Sequence, residues 1–289
     1  MMIYVQIKAG LGNQLFQYAF GKAKSLEQKR PLALDISWYS NMSPKDTPRT
    51  FLLDKYNIDA HIASPEELKP FYTPIKKLYR KICRRLSYKK DNLFHPTELA
   101  STADFFEGHW ANEKYFKKYA NTIRKEITPK TLSSAAAVMI AEIDSNAQGG
   151  MIPILVHVRR GDCVSNPYAA SYQGTMDTSY YDEAREILSS KFDKEKLVFF
   201  IFSDDIGWAK ENLLKDAKRV FVSRPEIADY EELYIMSKCQ HFIIGNSSFS
   251  WWGAWLSPSP SKVVIAPRQW LKDTSFDTSD VCPSDWIRI

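Results

Sequence analysis

Cysteine is scarce in this 289-residue chain, and Cys83, Cys163, Cys239 and Cys282 lie far apart. That leaves neither the Cys-x-x-Cys spacing of a zinc or redox motif nor the density of a disulfide-stapled scaffold. No apolar run approaches the ~20 residues needed to span a bilayer. Met1-Met2-Ile3-Tyr4-Val5 enters strand-like sequence directly, without the basic and apolar stretches of a secretory leader. The expectation is a cytoplasmic protein with no membrane anchor. Glycine and proline, 11 and 15 residues, are too few for a collagen-like or low-complexity chain. Nor does an Asp-x-Asp triplet occur anywhere. With 44% hydrophobic and 25% charged residues the chain is ordinary and globular, and its length suits two domains of roughly 100–200 residues.

Charge is plentiful in one place. Eight lysines and arginines fall between Lys76 and Lys90 with no acid among them, against a whole-chain charge of +5, so the remainder is net negative. Ile75, Leu78, Tyr79, Ile82 and Leu86 recur there at spacings of three and four, which predicts an amphipathic helix with a cationic face. A solvated helix face is one reading, and peripheral docking on anionic lipid or on a lipid-linked substrate is another. No nucleic-acid-binding module accompanies the charge, so no nucleic-acid partner is expected.

The hydrophobic period gives the architecture. Ile3 to Ile7 reads as a strand, Gly10-Leu11-Gly12-Asn13 as a tight turn, and Leu15 to Leu26 as a helix. Pro31 to Asp35 reads as a second strand, followed by an irregular or helical insert to about Pro74. A helix from about Leu132 to Asp144 precedes turn-rich Ser145 to Gly150, so the expected lobes are 1–148 and 149–289. Short apolar runs at 152–158, 197–202, 219–222, 242–244 and 263–265 then alternate with helix-patterned stretches, predicting a parallel sheet covered on both faces.

Three of those strands end in polar groups. His157-Val158-Arg159-Arg160-Gly161-Asp162 follows the first, at the edge where open α/β sheets bind ligands. Adjacent guanidinium forks suit a diphosphate, with an ion pair of Arg160 and Asp162 as the structural alternative. Ser203-Asp204-Asp205 ends the second. Neighbouring carboxylates on an extended strand point apart, so hydrogen bonds to arginine or ribose are expected there in place of a shared metal. Gly245-Asn246-Ser247-Ser248 ends the third and opens the helix Phe249 to Trp255, offering hydroxyls and N–H groups to an anion, or simply a cap on a tryptophan-rich core. Upstream, Glu232 could accept from a guanine's N1–H and amine, or merely complement a helix dipole.

These segments, with Gly10 to Ala19, Glu113 to Phe116 and Val264 to Pro267, resemble the motifs of the bacterial α-1,2-fucosyltransferases, glycosyltransferase family eleven, in order and spacing across nearly the whole chain. The resemblance implies a GT-B fold of two Rossmann-like lobes. It also implies metal-independent transfer of L-fucose, with inversion, from GDP-β-L-fucose to the 2-hydroxyl of a galactose-terminated glycan, and no cofactor. By that resemblance Arg159 holds the β-phosphate and His157 contacts the nucleotide, Ser247 and Ser248 bind the diphosphate, Glu232 reads guanine, and Gly12 and Asn13 approach the donor from the amino-terminal lobe. Arg160, Asp204 and Asn246 complete the expected donor-binding set. Asp162, Asp35, Glu113 and His157 stand open as the general base, with Asp162 first. Two rivals remain: a non-catalytic glycan- or nucleotide-binding module using its tryptophans for stacking, and a dinucleotide oxidoreductase suggested by Gly10-x-Gly12. The latter lacks its third glycine, since position 15 is Leu.

Overall fold

The computed structural model describes residues 2–43, 46–76, 78, 82, 94–161, 174–272 and 277–289. They fall into two compact units, Met1–Lys130 with Ser275–Pro283, and Thr131–Thr274 with Ser284–Ile289. Asp162 and most of the Lys76-to-Lys90 segment lie outside the described residues.

In the first unit β1 (Ile3–Gln6), β2 (Leu32–Asp35), β3 (His61–Ile62) and β4 (Phe105–Phe106) form a parallel sheet in the order β3-β2-β1-β4. Helix α1 (Leu11–Gln28) crosses over it and buries most of its length as far as Lys24. The short helices α2 (Pro65–Leu68), α3 (Pro96–Ala100) and α4 (Ala120–Glu126) complete the unit. The glycine pair misleads at one point. Helix α1 already begins at Leu11, so Gly12 and Asn13 lie in its first turn, and the reversal of the chain falls at Ala9 (φ 66°). The cause is two glutamines of the same motif. Gln14, fully buried, donates to the Ala9 and Thr50 carbonyls (3.1 and 2.8 Å) and accepts from Leu52 N–H (3.0 Å). Gln17 accepts from Lys8 N–H at 2.9 Å and donates to the Gly108 carbonyl at 3.2 Å. Backbone groups that would otherwise be buried unpaired are thereby satisfied, and the helix is held from its first turn.

The second unit carries β5 (Ile152–Val158), β6 (Leu197–Ser203), β7 (Lys218–Phe221), β8 (His241–Ile243), β9 (Val264–Ala266) and β10 (Ile287–Arg288) in the order β10-β9-β8-β5-β6-β7, all pairs parallel. Helices α5 (Ser134–Gln148), α6 (Thr178–Ser189), α7 (Ile206–Asn212), α8 (Asp229–Met236) and α9 (Ser248–Leu256) belong to it. The division therefore falls at 130/131 instead of the expected 148/149. Helix α5 buries Ala136, Met139 and Ile143, and its cap Ser133 accepts from Ala136 N–H and donates through N–H and Oγ to the Glu231 carboxylate on α8. That buried tie binds α5 to the second unit. The turn at Ser145 to Gly150 is the connection from α5 into β5, not a linker between units.

Chain order runs one way through β5, β6 and β7, then the other way through β8, β9 and β10. The reversal lies between the adjacent strands β5 and β8. No helix among the described residues is long and apolar enough to cross a membrane.

Helix α1 approaches its sheet at Gly21, where an added Cβ would lie 2.7 Å from Val5 Cγ2 and 2.9 Å from Leu32 Cδ1. Alanine there gains about 1 kcal/mol of helix propensity and incurs about 1–3 kcal/mol of overpacking. Gly21→Ala is expected to lower the urea midpoint without changing the slope of the transition. A raised midpoint would mean the helix sits less tightly on β1 and β2.

Candidate functional site

Strand order places the β5 and β8 termini side by side at the sheet's carboxyl edge, where a reversal of chain order opens a crevice in α/β sheets. Two adjacent tyrosines in the first turn of α6 set the geometry. Tyr180 Oη donates to the Ile244 carbonyl at 2.6 Å, with the Ile265 carbonyl at 3.3 Å, and Tyr181 Oη donates to the His157 carbonyl at 3.2 Å. Burial pushes the Tyr181 phenol's ionisation upward, so it stays a donor. Gly245 closes the gap. A Cβ there would lie 3.3 Å from the His157 carbonyl oxygen and 3.7 Å from its Nδ1. The His157 ring is buried, 6.1 Å from the Phe249 ring, and its Nδ1 has no hydrogen-bond partner. Burial, with Arg159 adding, pushes its imidazolium down to about 3, so it is neutral at any physiological pH.

The two arginines divide. Arg160 N–H donates to Asp204 Oδ1 at 2.8 Å, its Nε lies 3.3 Å from Asp205 Oδ2, and its guanidinium stacks 4.1 Å from the Trp208 ring. Arg160 thus pairs with Asp205, and Arg160 and Asp204 shape the loop between strands; the alternative pair with Asp162 lies outside the described residues. A Cβ at Gly161 would lie 2.8 Å from Asp204 Oδ2, so a side chain there would make the Asp204 carboxylate shift. Asp205 also caps α7, accepting from Trp208 N–H at 3.1 Å. Arg160 thus engages both carboxylates, Asp204 through its backbone N–H and Asp205 through its guanidinium. Arg159 follows β5 directly and is half-buried.

The serine turn divides in the same way. Ser247 is buried and caps α9 through Phe249 N–H (3.3 Å), and Asn246 donates to the Gly174 and Trp270 carbonyls at 3.4 and 3.3 Å. Both hold the turn. Ser248, the first helical residue, is partly exposed. Behind it Trp251, Trp252 and Trp255 are buried and pack on one another with ring centroids 5.1–6.1 Å apart. These three form core and offer no face for stacking a sugar.

Glu232 reaches the same edge through a relay. Ser223 Oγ accepts from Ser203 N–H (2.9 Å) at the end of β6 and donates to Glu232 Oε1. Burial pushes this carboxyl up to about 7. Asp229 and Asp204 add to the rise, and the Ser223 hydrogen bond opposes it. Its neighbour Glu231 is structural, closing the α8 capping box at Ala228 N–H (3.0 Å) and binding Ser133.

In the first unit Asp35 has no exposed surface. Its Oδ1 accepts from Ser37 N–H at 2.9 Å and its Oδ2 from Tyr72 Oη, which in turn accepts from Gln6 Nε2 at 2.7 Å. The Asp35 carboxylate is thus held in the interior of the first unit by Ser37 and Tyr72. Glu113 pairs with Lys117 at 2.7 Å. Sequence reasoning missed Tyr180, Tyr181, Ser223 and Trp208. The one signal available was the Tyr-Tyr pair just after the capping Asp177.

A model of glycosyl transferase family 11 matches residues 76–289. An Escherichia coli α-1,2-colitosyltransferase is 33% identical, the alignment covering 100% of this chain and 99% of that one. The E. coli O-antigen biosynthesis glycosyltransferase WbnK is 27% identical over 99% of this chain and 100% of its own. Among solved structures, the NodZ α-1,6-fucosyltransferase soaked with GDP-fucose matches with a TM-score of 0.50 at 14% identity, over 89% of this chain and 92% of that one. The two parallel α/β units are those of a GT-B fold.

The raised Glu232 pKa has a direct consequence for stability. The native state keeps this proton up to about pH 7, whereas an unfolded carboxyl loses it near ~4.3. The unfolded state therefore binds fewer protons in that window, and Glu232 makes the protein less stable as pH rises through it. Glu232→Gln is expected to raise the urea midpoint relative to wild type at pH 8 and to leave it little changed at pH 4. A gap that does not widen with pH would mean the carboxyl titrates normally.

Proposed function

The chain belongs to glycosyl transferase family 11, and from that premise we propose that it moves L-fucose from GDP-β-L-fucose to the 2-hydroxyl of a galactose-terminated glycan, with inversion and without a metal, in building a bacterial surface polysaccharide. The observation that carries the donor reading is the convergence, at one crevice of one unit, of a guanidinium, a helix N-terminus bearing a serine hydroxyl, and a carboxylate suited to guanine. Arg159 at the end of β5 and Ser248 at the start of α9 stand on the two strand ends that the Tyr180-Tyr181 pair ties together. Glu232 stands on the far side of the β6 terminus.

Inversion is a single displacement. The enzyme must take up the charge that develops on the departing GDP, orient the acceptor hydroxyl and remove its proton. The Arg159 fork matches two oxygens of the β-phosphate, and its effect grows as the glycosidic bond breaks, so it stabilises the transition state more than the ground state. Ser248 Oγ and the first N–H groups of α9 receive the other diphosphate oxygens. Neutral His157 supplies orientation without adding a charge. With Asp35 enclosed, Asp162 beside the glycine of the same loop is the proposed base.

The 33% identical α-1,2-colitosyltransferase supports a second reading, transfer of colitose. Colitose is fucose without the 3-hydroxyl, so the two donors differ by one hydrogen-bonding group. A site built to bond that hydroxyl discriminates by about 10⁴-fold or more, and an apolar one does not. Turnover of GDP-fucose and GDP-colitose on galactose-terminated acceptors, with linkage analysis of the product, separates the two. Retained activity in EDTA is expected, and its loss would overturn the metal-free reading.

Arg159→Lys keeps the charge and loses the fork, so kcat is expected to fall by more than tenfold. Turnover within about threefold of wild type, about 0.65 kcal/mol, would remove Arg159 from the diphosphate. Guanine recognition through an ionised Glu232 predicts that GDP affinity rises as pH climbs through about 7. A flat profile by calorimetry between pH 6 and 8 would contradict the assignment.

A further inference from the structure

The chain's densest positive charge and a run of exposed aliphatic side chains fall on the same stretch. Residues 74–76, 78 and 82 are helical. The helix is entered at Thr73, whose Oγ1 accepts from Lys76 N–H at 3.4 Å. Ile75, Leu78 and Ile82 are 82%, 59% and 49% exposed. Their spacings of three and four residues are the sequence pattern of one helix face. The sequence pattern assigns that stripe to a core, yet the structure leaves it in solvent. Leu26, Ile62, Leu132 and Val138, the other exposed large hydrophobics among the described residues, are scattered singly and need no explanation. Three together do, and they sit among eight lysines and arginines with no acid from 76 to 90.

We propose that this segment docks the protein on an anionic lipid bilayer, with Ile75, Leu78 and Ile82 entering the headgroup boundary and the flanking lysines and arginines meeting acidic headgroups. Charge complementarity selects this occupant. A nucleic acid would use the cations and leave the aliphatic stripe wet, and a second copy would cover the stripe while setting like charge against like. Only a surface both apolar and anionic satisfies both halves of the segment.

The test is flotation of the full chain with phosphatidylcholine vesicles and with vesicles carrying 30% phosphatidylglycerol, at 50 mM and 500 mM NaCl. Wild type is expected on the anionic vesicles at low salt and not on the neutral ones, with binding weakened at high salt as screening shortens the reach of the charges. Ile75→Ser, Leu78→Ser and Ile82→Ser combined should lower partitioning at least about tenfold. Gln at Lys77, Arg80, Arg84 and Lys89 should lower it about a hundredfold or more. Neither variant changes a residue assigned to the donor crevice, so turnover of a soluble acceptor and the melting temperature should match wild type. Failure of wild type to float at low salt overturns the proposal, as does equal binding to neutral vesicles. Full binding by the serine variant overturns the insertion of the stripe. A dimer in light scattering that the serine variant dissolves, without flotation of wild type, assigns the face to a second copy instead.

Discussion

Two neighbouring phenols, Tyr180 and Tyr181, tie two strand ends to one helix turn: Tyr180 donates to the Ile244 carbonyl just past β8, with the Ile265 carbonyl of β9 at 3.3 Å, and Tyr181 donates to the carbonyl of His157 on β5. Strand ends are where a parallel sheet's hydrogen-bonding ladder runs out, and their carbonyls need partners when buried. Supplying partners to the Ile244 and His157 carbonyls from one helix turn ties the β8 and β5 ends into a single edge. Gly245 then lets the β8 turn lie against His157, and that turn starts α9 beside the arginines. Site residues borne on strand ends fixed in this way are positioned more accurately than residues on unsupported loops.

The same edge shows a division between groups that hold and groups that face the crevice. Arg160, Asp204, Asp205, Asn246 and Ser247 all find partners within the unit. Their bonds shape the chain around Arg159, Ser248 and the buried His157 ring. Glu232 is the exception that costs stability, since a carboxyl raised to about 7 is held in an environment that disfavours its charge. A fold selected for stability alone would place an amide there. Retention of the carboxylate fits a group whose ionised form has a task.

Much of the architecture was legible in the sequence because parallel strands buried on both faces read as short apolar runs, and those at 152–158, 197–203 and 264–266 were located to within a residue or so. The start of α1 was not, because Gly10 and Gly12 carry a turn signal that two buried glutamines override. The unit boundary was misplaced because Ser145 to Gly150 has the composition of a linker, and what decides it is the bond of Ser133 to Glu231, 98 residues apart. Site residues were found by type and not by role. Arg159 and Arg160 are alike in residue type, and the stacking of Arg160 on Trp208 with its bond to Asp205 gives that one a structural role. Asp35 looked available at a strand end until Tyr72 enclosed it. Long-range partners of this kind leave no periodic trace.

The central claim is that the reversal between β5 and β8 is the donor diphosphate site. A crystal structure with GDP bound tests it most directly. The account places the diphosphate against Arg159 and the amino end of α9 at Ser248, with the guanine edge on Glu232. Diphosphate density elsewhere, with Arg159 and Ser248 out of contact, would contradict it.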